Sequence, residues 1–220
     1  MSLQQTMDFF EKLDRNNNQE WFHDHQDAYQ EARESFLAFL EDLLTAFHQV
    51  DENIPPTLQP RDLIHRINRD MRFNKDKPPY HTQFSAVIGP DGKRSDSRMY
   101  YIAVGPGQSV VASGAHALDR DRLAIVREAI DENAQPLRDI IESDSFQKYF
   151  ELTGEQLKTS PRDYANDHPD VDLLRYKEFV AMHHFDDEAA TSQNFVDRVV
   201  EVYQAVRPLT DYFDKLFNGR

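Results

Sequence analysis

The strongest constraint on the fold is a run of apolar residues at helical spacing over residues 19–48. The apolar positions recur at steps of three and four, and acidic residues such as Glu31 and Glu41 fall largely on the opposite side. This spacing predicts one amphipathic helix of about 28 residues, roughly 42 Å long at 1.5 Å per residue. Such a helix is long enough to form one wall of a domain.

The middle of the chain carries strand patterns instead. Residues 84–88, 98–104 and 109–112 are rich in β-branched and aromatic residues, and turn sequences around Gly92 and Gly105 separate them. They predict an antiparallel meander. Two further short strands are predicted over 63–67 and 179–185.

Helical patterns lie on both sides of the meander. A short helix with Thr6 as N-cap precedes a turn of three asparagines, and helical spacing returns after Asp119, after Pro136 and over 191–217, where Pro208 predicts a kink or a break. We therefore predict a single α+β domain over 1–220. Its antiparallel-dominated sheet has about four to five strands, packed against long N-terminal and C-terminal helices.

The charge balance argues against several classes of partner. The 220 residues include 39 Asp and Glu against 25 Lys and Arg, a net charge of −14. This charge opposes attachment to nucleic-acid phosphates and anionic lipid, so we expect no broad nucleic-acid binding and no membrane partner. No apolar run approaches the roughly 20 residues that cross a bilayer. The polar start and the absence of cysteine fit a cytoplasmic protein.

One segment reverses this charge. Residues 61–81 contain six Lys or Arg against three Asp, leaving 19 basic and 36 acidic residues elsewhere. Arg66, Arg69 and Arg72 recur every third residue, and Lys75 and Lys77 follow. Arginine presents paired N–H donors that suit phosphate and carboxylate, so these five residues are candidate ligands of an anion. The alternative is that they pair with the protein's own carboxylates.

Other residues are candidates for the walls and the chemistry of such a site. Trp21 and His25 are four apart in the predicted helix and share a face, which is either a pocket wall or ordinary core. Tyr80 is a candidate proton donor, and the neighbouring His81 and the earlier His65 are candidate titratable groups. Asp167 and His168 are candidate acid/base residues, although an Asp before a helix begun by Pro169 also has a capping role.

The sequence assigns no metal ligands and no cofactor. His183 and His184 precede Asp186 and Asp187, which are ligand types that zinc, manganese or iron accept. Adjacent residues of a strand point to opposite faces, however, so at most one of the two histidines joins any one site. The chain also lacks a Walker loop and the other short motifs that mark the large enzyme classes.

Three motifs resemble the domain of unknown function 2461 family. They are Asn17-Asn18-Gln19-Glu20-Trp21-Phe22 with His25 and Tyr29; Arg66-Ile67 with Arg69-Asp70-Met71-Arg72-Phe73-Asn74-Lys75-Asp76-Lys77-Pro78-Pro79-Tyr80; and Asp167-His168-Pro169 with Leu173-Leu174 and Lys177. The resemblance covers nearly the whole chain. It implies a single α+β domain and no assigned activity. The chain departs from the family pattern over residues 113–118, near Asp163, and at His81, where the family often has lysine.

These observations support three hypotheses. The first is a cleft for an anionic small molecule, with transfer or hydrolysis at a phosphate or carboxylate derivative as the reaction class. The second is a non-catalytic module whose basic segment docks on an acidic partner or forms an internal ion network. The third is a metal-dependent hydrolase that uses His168 or His183. Burial and pairing of the arginines distinguish the first two.

Overall fold

The computed structural model describes residues 3–72, 76–95 and 98–219. Within them the helices are α1 (Gln4–Arg15), α2 (Gln19–Asp24), α3 (Gln26–Val50), α4 (Pro60–Leu63), α5 (Arg120–Asn133), α6 (Gln135–Ile141), α7 (Asp144–Gln147), α8 (Val171–Leu174), α9 (Asp187–Thr191) and α10 (Phe195–Asn218), with a 3₁₀ turn at Gly92–Arg94. The strands are β1 (Phe84–Ile88), β2 (Tyr100–Val104), β3 (Val110–Ala115), β4 (Leu152–Thr153) and β5 (Phe179–His184).

The five strands form one antiparallel sheet in the order β1-β2-β3-β5-β4, so the predicted α+β class is confirmed. β1 pairs with β2 in a register that places Phe84 opposite Val104 and Ile88 opposite Tyr100. The α1 and α3 helices pack against the apolar face of this pair. Phe10 of α1 contacts Phe84 edge to face at 4.7 Å between ring centroids, and Phe36 of α3 stacks on it at 5.3 Å.

The long helix predicted over 19–48 is two helices, because His25 interrupts it. The backbone N–H of His25 donates to the Phe22 carbonyl, one residue short of the α-helical partner. The His25 Nδ1 lies 2.8 Å from the Trp21 carbonyl and takes the place of that backbone donor. At the start of α2, Asn18 accepts the Trp21 N–H at 2.9 Å, which confirms the N-cap predicted within the asparagine turn.

Two local predictions are wrong. Thr6 is not an N-cap: it lies inside α1, and its hydroxyl donates to the Ala32 carbonyl at 2.9 Å, which ties α1 to α3. Residues 63–67 do not form a strand either. Pro60 starts the short helix α4 there, and pairing with the sheet is limited to a single bridge between Ile64 and Ala86.

The C-terminal helix continues past Pro208, so the predicted break does not occur. An interior proline costs about 3 kcal/mol. Each buried large apolar side chain contributes about 1.5–3 kcal/mol, and α10 has several at helical spacing, so burial outweighs the proline. They are Val199, Val202, Tyr203, Val206, Leu209 and Phe213. The helix predicted after Asp119 is α5, and the Asp119 side chain caps it by accepting the Arg122 N–H. Pro136 lies in the first turn of α6, one residue after its first position.

The chain divides into two compact units. The first contains the described residues of Met1–Ser95 with Tyr100–Val111 and His184–Glu201. The second contains those of Asp96–Met99, Ala112–His183 and Val202–Arg220. Of the helices formed by the described residues, none has the length and apolar character needed to cross a bilayer.

Candidate functional site

The basic segment is held at both ends by backbone hydrogen bonds in the first unit. After α4 the chain runs beside β1, where the His65 N–H donates to the Ser85 carbonyl at 2.8 Å. Arg69 N–H then donates to the Pro79 carbonyl at 2.8 Å, and His81 N–H donates to the Ile67 carbonyl at 2.7 Å. Residues 67–69 and 79–81 therefore pair as the base of a hairpin, the basic hairpin, and this base lies next to the sheet.

Asn17 secures the returning end of this hairpin. Its side-chain amide donates to the Tyr80 carbonyl at 3.0 Å and accepts the Tyr80 N–H at 3.1 Å, as a neighbouring strand would. The Tyr80 ring stacks on Phe22 of α2 at 4.2 Å. The first family-like motif therefore positions the second, through Asn17 and Phe22.

Alternation along the chain creates a polar groove next to the hairpin. Phe84 and Ala86 point into the core, so Gln83 and Ser85 lie on the other face of β1. A hollow of about 340 Å³ lies on this face. Every side chain that lines it carries a polar group: His65, Arg66, Asn68, His81, Gln83, Ser85 and Tyr101.

A second hollow of about 250 Å³ adjoins the first, and the two share Asn68 and His81 as lining residues. Its other lining residues are Arg69, Asp70, Met71 and Lys77. Both volumes are at or near the lower end of the roughly 300–1,000 Å³ typical of small-molecule sites. The hairpin thus borders two hollows that share two lining residues.

The cations of the segment differ in what they contact. Arg72 donates to Asp70 at 2.9 Å, and this bond is the main reason why the pKa of the Asp70 carboxyl is lowered. Arg69 donates from Nε to the Tyr80 carbonyl at 3.2 Å. In the part of the chain that the structure describes, the side chains of Arg66 and Lys77 have no hydrogen bond and no ion pair. Lys75 lies outside the described residues.

Two histidines of the groove favour the neutral form. Burial lowers the pKa of His65, with a smaller contribution from nearby Lys93. Burial likewise lowers the pKa of His81, and the charge of Arg69 adds to the effect. Within residues 3–72, 76–95 and 98–219, neither ring makes a side-chain hydrogen bond. A neutral imidazole is a proton acceptor at neutral pH, which suits general base chemistry.

The other predicted site residues of the first unit have mainly packing contacts. His25 stacks on Trp21 at 3.9 Å between ring centroids, and among the described residues neither of them lines the two hollows. Tyr80 is only 7% exposed, and its ring packs on Phe22. Their roles as pocket walls and proton donor therefore remain predictions.

The Asp167-His168-Pro169 motif belongs to the second unit, where His168 is fully engaged. The Asp170 N–H donates to His168 Nδ1 at 3.0 Å, so the ring hydrogen lies on Nε2, which donates to Asp131 at 3.0 Å. Asp167 is exposed. With both nitrogens of His168 in use, the arrangement favours a positioning role for the motif, and its acid/base role stays a prediction.

Arg138 fixes the same loop from the other side. It donates to Asp170 at 2.8 Å and to Asp172 at 2.7 Å, and these bonds, the Asp172 bond above all, raise the pKa of Arg138. Arg138 also lines a hollow of about 430 Å³, larger than either hollow of the first unit. The cation of Arg138 is already neutralised by its two carboxylate partners, and Glu142 and Glu151 line the same hollow. The two hollows of the first unit are therefore the better candidates for an anion site.

The described residues hold no group of three or more His, Asp or Glu arranged to bind a metal ion. His183 Nδ1 lies 3.0 Å from the Tyr149 carbonyl, and Asp186 caps α9 by accepting the Ala189 N–H at 2.7 Å. The residues that suggested a metal thus have separate structural contacts. The structure gives the metal-dependent hydrolase hypothesis no support.

Sequence reasoning missed the neutral half of the groove: Asn68, Gln83, Ser85 and Tyr101. The available signal was the alternation of Gln83 and Ser85 with the apolar Phe84 and Ala86, since polar residues at every second position predict a strand with one face outside the core. Nothing in the sequence placed Asn68 or Tyr101 beside them.

Comparison with known proteins gives one match. Neither the curated proteins nor the solved structures provide a match to the chain. A family model described as conserved hypothetical protein (DUF2461) matches residues 5–212. This match takes in the hairpin, its Asn17 clamp and the Asp167-His168-Pro169 loop, and it agrees with the resemblance of the three motifs. The chain belongs to the DUF2461 family of conserved hypothetical proteins.

Proposed function

We propose that the groove beside the basic hairpin binds an anionic small molecule that carries a phosphate or carboxylate group. The observation that carries this proposal is the pairing of the cations. Arg66 and Lys77 line the two hollows and make no hydrogen bond or ion pair among the described residues, whereas Arg72 is directly bound to Asp70, a carboxylate that Arg66 influences only through its charge.

The charge of the rest of the protein strengthens the argument. In a chain with net charge −14, carboxylates for internal pairing are abundant. A cation that stays unpaired beside a groove keeps its donors available for a ligand. Hydrogen bonds between such donors and an anion contribute about 1.5–3 kcal/mol each, more than an exposed ion pair contributes to folding.

The proposed site also has groups that move protons. His65 and His81 line the first hollow in a form that accepts protons at neutral pH. Cations nearby would stabilise negative charge that develops during hydrolysis or group transfer at a phosphate or carboxylate derivative. His65 and His81 are therefore the first acid/base residues to test, ahead of Tyr80, Asp167 and His168.

The test is a titration with inorganic phosphate, followed by thermal unfolding and calorimetry, against chloride at matched ionic strength. At 100 times the Kd, a single site adds about 2.7 kcal/mol to the free energy of unfolding. We expect the double variant Arg66→Ala/Lys77→Ala to lose this gain. Arg72→Ala is the matched control and keeps it, because its guanidinium is already bound to Asp70.

Two results would contradict the proposal. One is the absence of any phosphate-dependent gain in the wild-type protein. The other is an equal loss in Arg72→Ala, because that outcome would assign the effect to general surface charge. A purely structural ion network remains the competing function, and the Arg72 to Asp70 pair is the observation that favours it.

A further inference from the structure

The two hollows differ in the chemistry of their walls. The smaller one carries the cations Arg69 and Lys77, and the carboxylate of Asp70, which is bound to Arg72, also lines it. The larger one is lined by one cation, Arg66, and otherwise mainly by neutral hydrogen-bonding groups, including Asn68, Gln83 and Ser85. His81 and Asn68 line both. A ligand that fills both spaces therefore needs a charged end and an uncharged polar body.

The side chains that line the larger hollow also limit the chemistry of the uncharged part of the ligand. Small-molecule pockets are commonly lined by hydrophobic and aromatic side chains. Here the Tyr101 ring is the one aromatic surface apart from the two imidazoles among the described lining residues. An acyl chain would leave the amides of Asn68 and Gln83 without partners at a cost of about 1–3 kcal/mol each, whereas hydroxyl groups satisfy them as both donor and acceptor.

The polar groups also have geometry suited to several hydroxyls. The Gln83 amide lies 3.5 Å from the Tyr101 hydroxyl, at the limit of a hydrogen bond, so this contact leaves most of the hydrogen-bonding capacity of the Gln83 amide available. Ser85 uses its carbonyl, and not its side chain, to accept the His65 N–H. The side chains of Gln83 and Ser85 thus line the same hollow as His65 and His81.

The cations favour phosphate over carboxylate as the charged end. A phosphate monoester carries about −1.5 to −2 charge at pH 7 and has three acceptor oxygens, whereas a carboxylate carries one charge and two oxygens. Arg69 keeps its terminal nitrogens for a ligand, since it donates to the Tyr80 carbonyl from Nε. Together with Lys77 in the same hollow and Arg66 in the adjoining one, it matches the larger charge.

We infer that the groove binds a phosphorylated polyol of the sugar-phosphate class, with its phosphate between Arg69 and Lys77 and its hydroxyls against Asn68, Gln83, Ser85 and Tyr101. This inference rests on the proposed anion site and adds the identity of the ligand's uncharged half.

The experiment compares four probes by calorimetry on the full chain: glucose 6-phosphate, inorganic phosphate, gluconate and glucose. We expect glucose 6-phosphate to bind at least tenfold more tightly than each of the other three. The variant Gln83→Met keeps a similar size and removes the amide, so it should lose most of that tenfold advantage while its affinity for inorganic phosphate is unchanged. Ser85→Ala gives a second, smaller loss and covers the case in which Gln83→Met folds poorly.

Each of the other outcomes contradicts a defined part of the inference. Equal binding of inorganic phosphate and glucose 6-phosphate overturns the polyol half and leaves the anion site intact. Gluconate binding as tight as glucose 6-phosphate overturns the choice of phosphate. If none of the three anions binds, the proposed function fails as well as this inference.

Discussion

The basic hairpin and the Asp167-His168-Pro169 loop are both rich in charged and titratable residues, yet the structure treats them differently. In the loop, His168 uses both ring nitrogens within the protein and Arg138 is bound by two carboxylates. In the hairpin, Arg66 and Lys77 have no such partners in the described chain, and His65 and His81 have unbound rings there.

The difference shows that a charged motif is evidence of a binding site only when some of its hydrogen-bond donors and acceptors have no partner within the protein. A satisfied network stabilises a loop because each charged hydrogen bond replaces one to water. Unsatisfied groups beside a hollow remain available to a ligand. The following predictions test whether the loop is structural and the hairpin is a binding site.

The largest expected effect is that of Arg138→Met on stability. The substitution leaves Asp170, which is 22% exposed, without its partner, and we expect a loss of about 2 kcal/mol in the free energy of unfolding. Thermal unfolding should show a Tm lower by roughly 4–8 °C. Arg120→Met, on an exposed position of α5, is the control and should change the Tm little. If Arg138→Met also abolished the phosphate-dependent gain in stability, the contrast between loop and hairpin would be lost.

The second prediction concerns Asn17, the clamp of the hairpin. Asn17→Ala removes two hydrogen bonds to the Tyr80 backbone and should cost about 1–2 kcal/mol, measured by denaturant unfolding. Because the hairpin then loses one of its anchors, phosphate affinity should also fall several-fold. Asn16→Ala, whose amide bonds only the exposed end of α1, is the matched control. Unchanged affinity in Asn17→Ala would mean that the clamp does not organise the site.

The third prediction is a pH dependence of stability. The folded protein lowers the pKa of His65 and His81 below the ordinary value of 6.5, so the unfolded chain binds more protons as the pH falls below that value. Stability from these two groups is therefore complete above about pH 6.5 and declines as the pH decreases toward their folded pKa. The charged groups involved are Lys93 near His65 and Arg69 near His81.

Replacing both histidines by glutamine should flatten this decline below about pH 6.5, as measured by denaturant unfolding at each pH. In the wild-type protein, bound phosphate should raise the pKa of His81, which NMR titration of the ring would detect. An unaltered slope in the double variant would contradict the low pKa values. An equal flattening of the pH dependence of stability in His168→Gln would contradict the difference between the basic hairpin and the Asp167-His168-Pro169 loop.

The smallest expected effect is that of Arg72→Ala. Its pair with Asp70 is formed by a side chain that is 78% exposed, and exposed pairs contribute little to stability. We expect no resolvable change in Tm and no change in phosphate affinity. A marked loss of either would show that the pair is part of the site.

Features of the fold that depend on neighbouring residues in the sequence were easier to predict than features that depend on tertiary packing. The α+β class, the strand β1, the cap within the asparagine turn and the helix after Asp119 followed from local patterns, because spacing and capping act over a few residues. The break at His25 did not, since it depends on a side chain that competes for one carbonyl. The helix across Pro208 required knowledge of which residues α10 buries.

By itself the sequence determined that this acidic chain concentrates positive charge in one segment, because charge is a property of composition. Only the tertiary structure decided which of those charges are paired within the protein. The pairing of Arg72 with Asp70, the clamp from Asn17 and the meeting of His65 and His81 with Gln83 and Ser85 depend on how the hairpin lies against β1. Such contacts join residues up to 63 positions apart, and no local pattern encodes them.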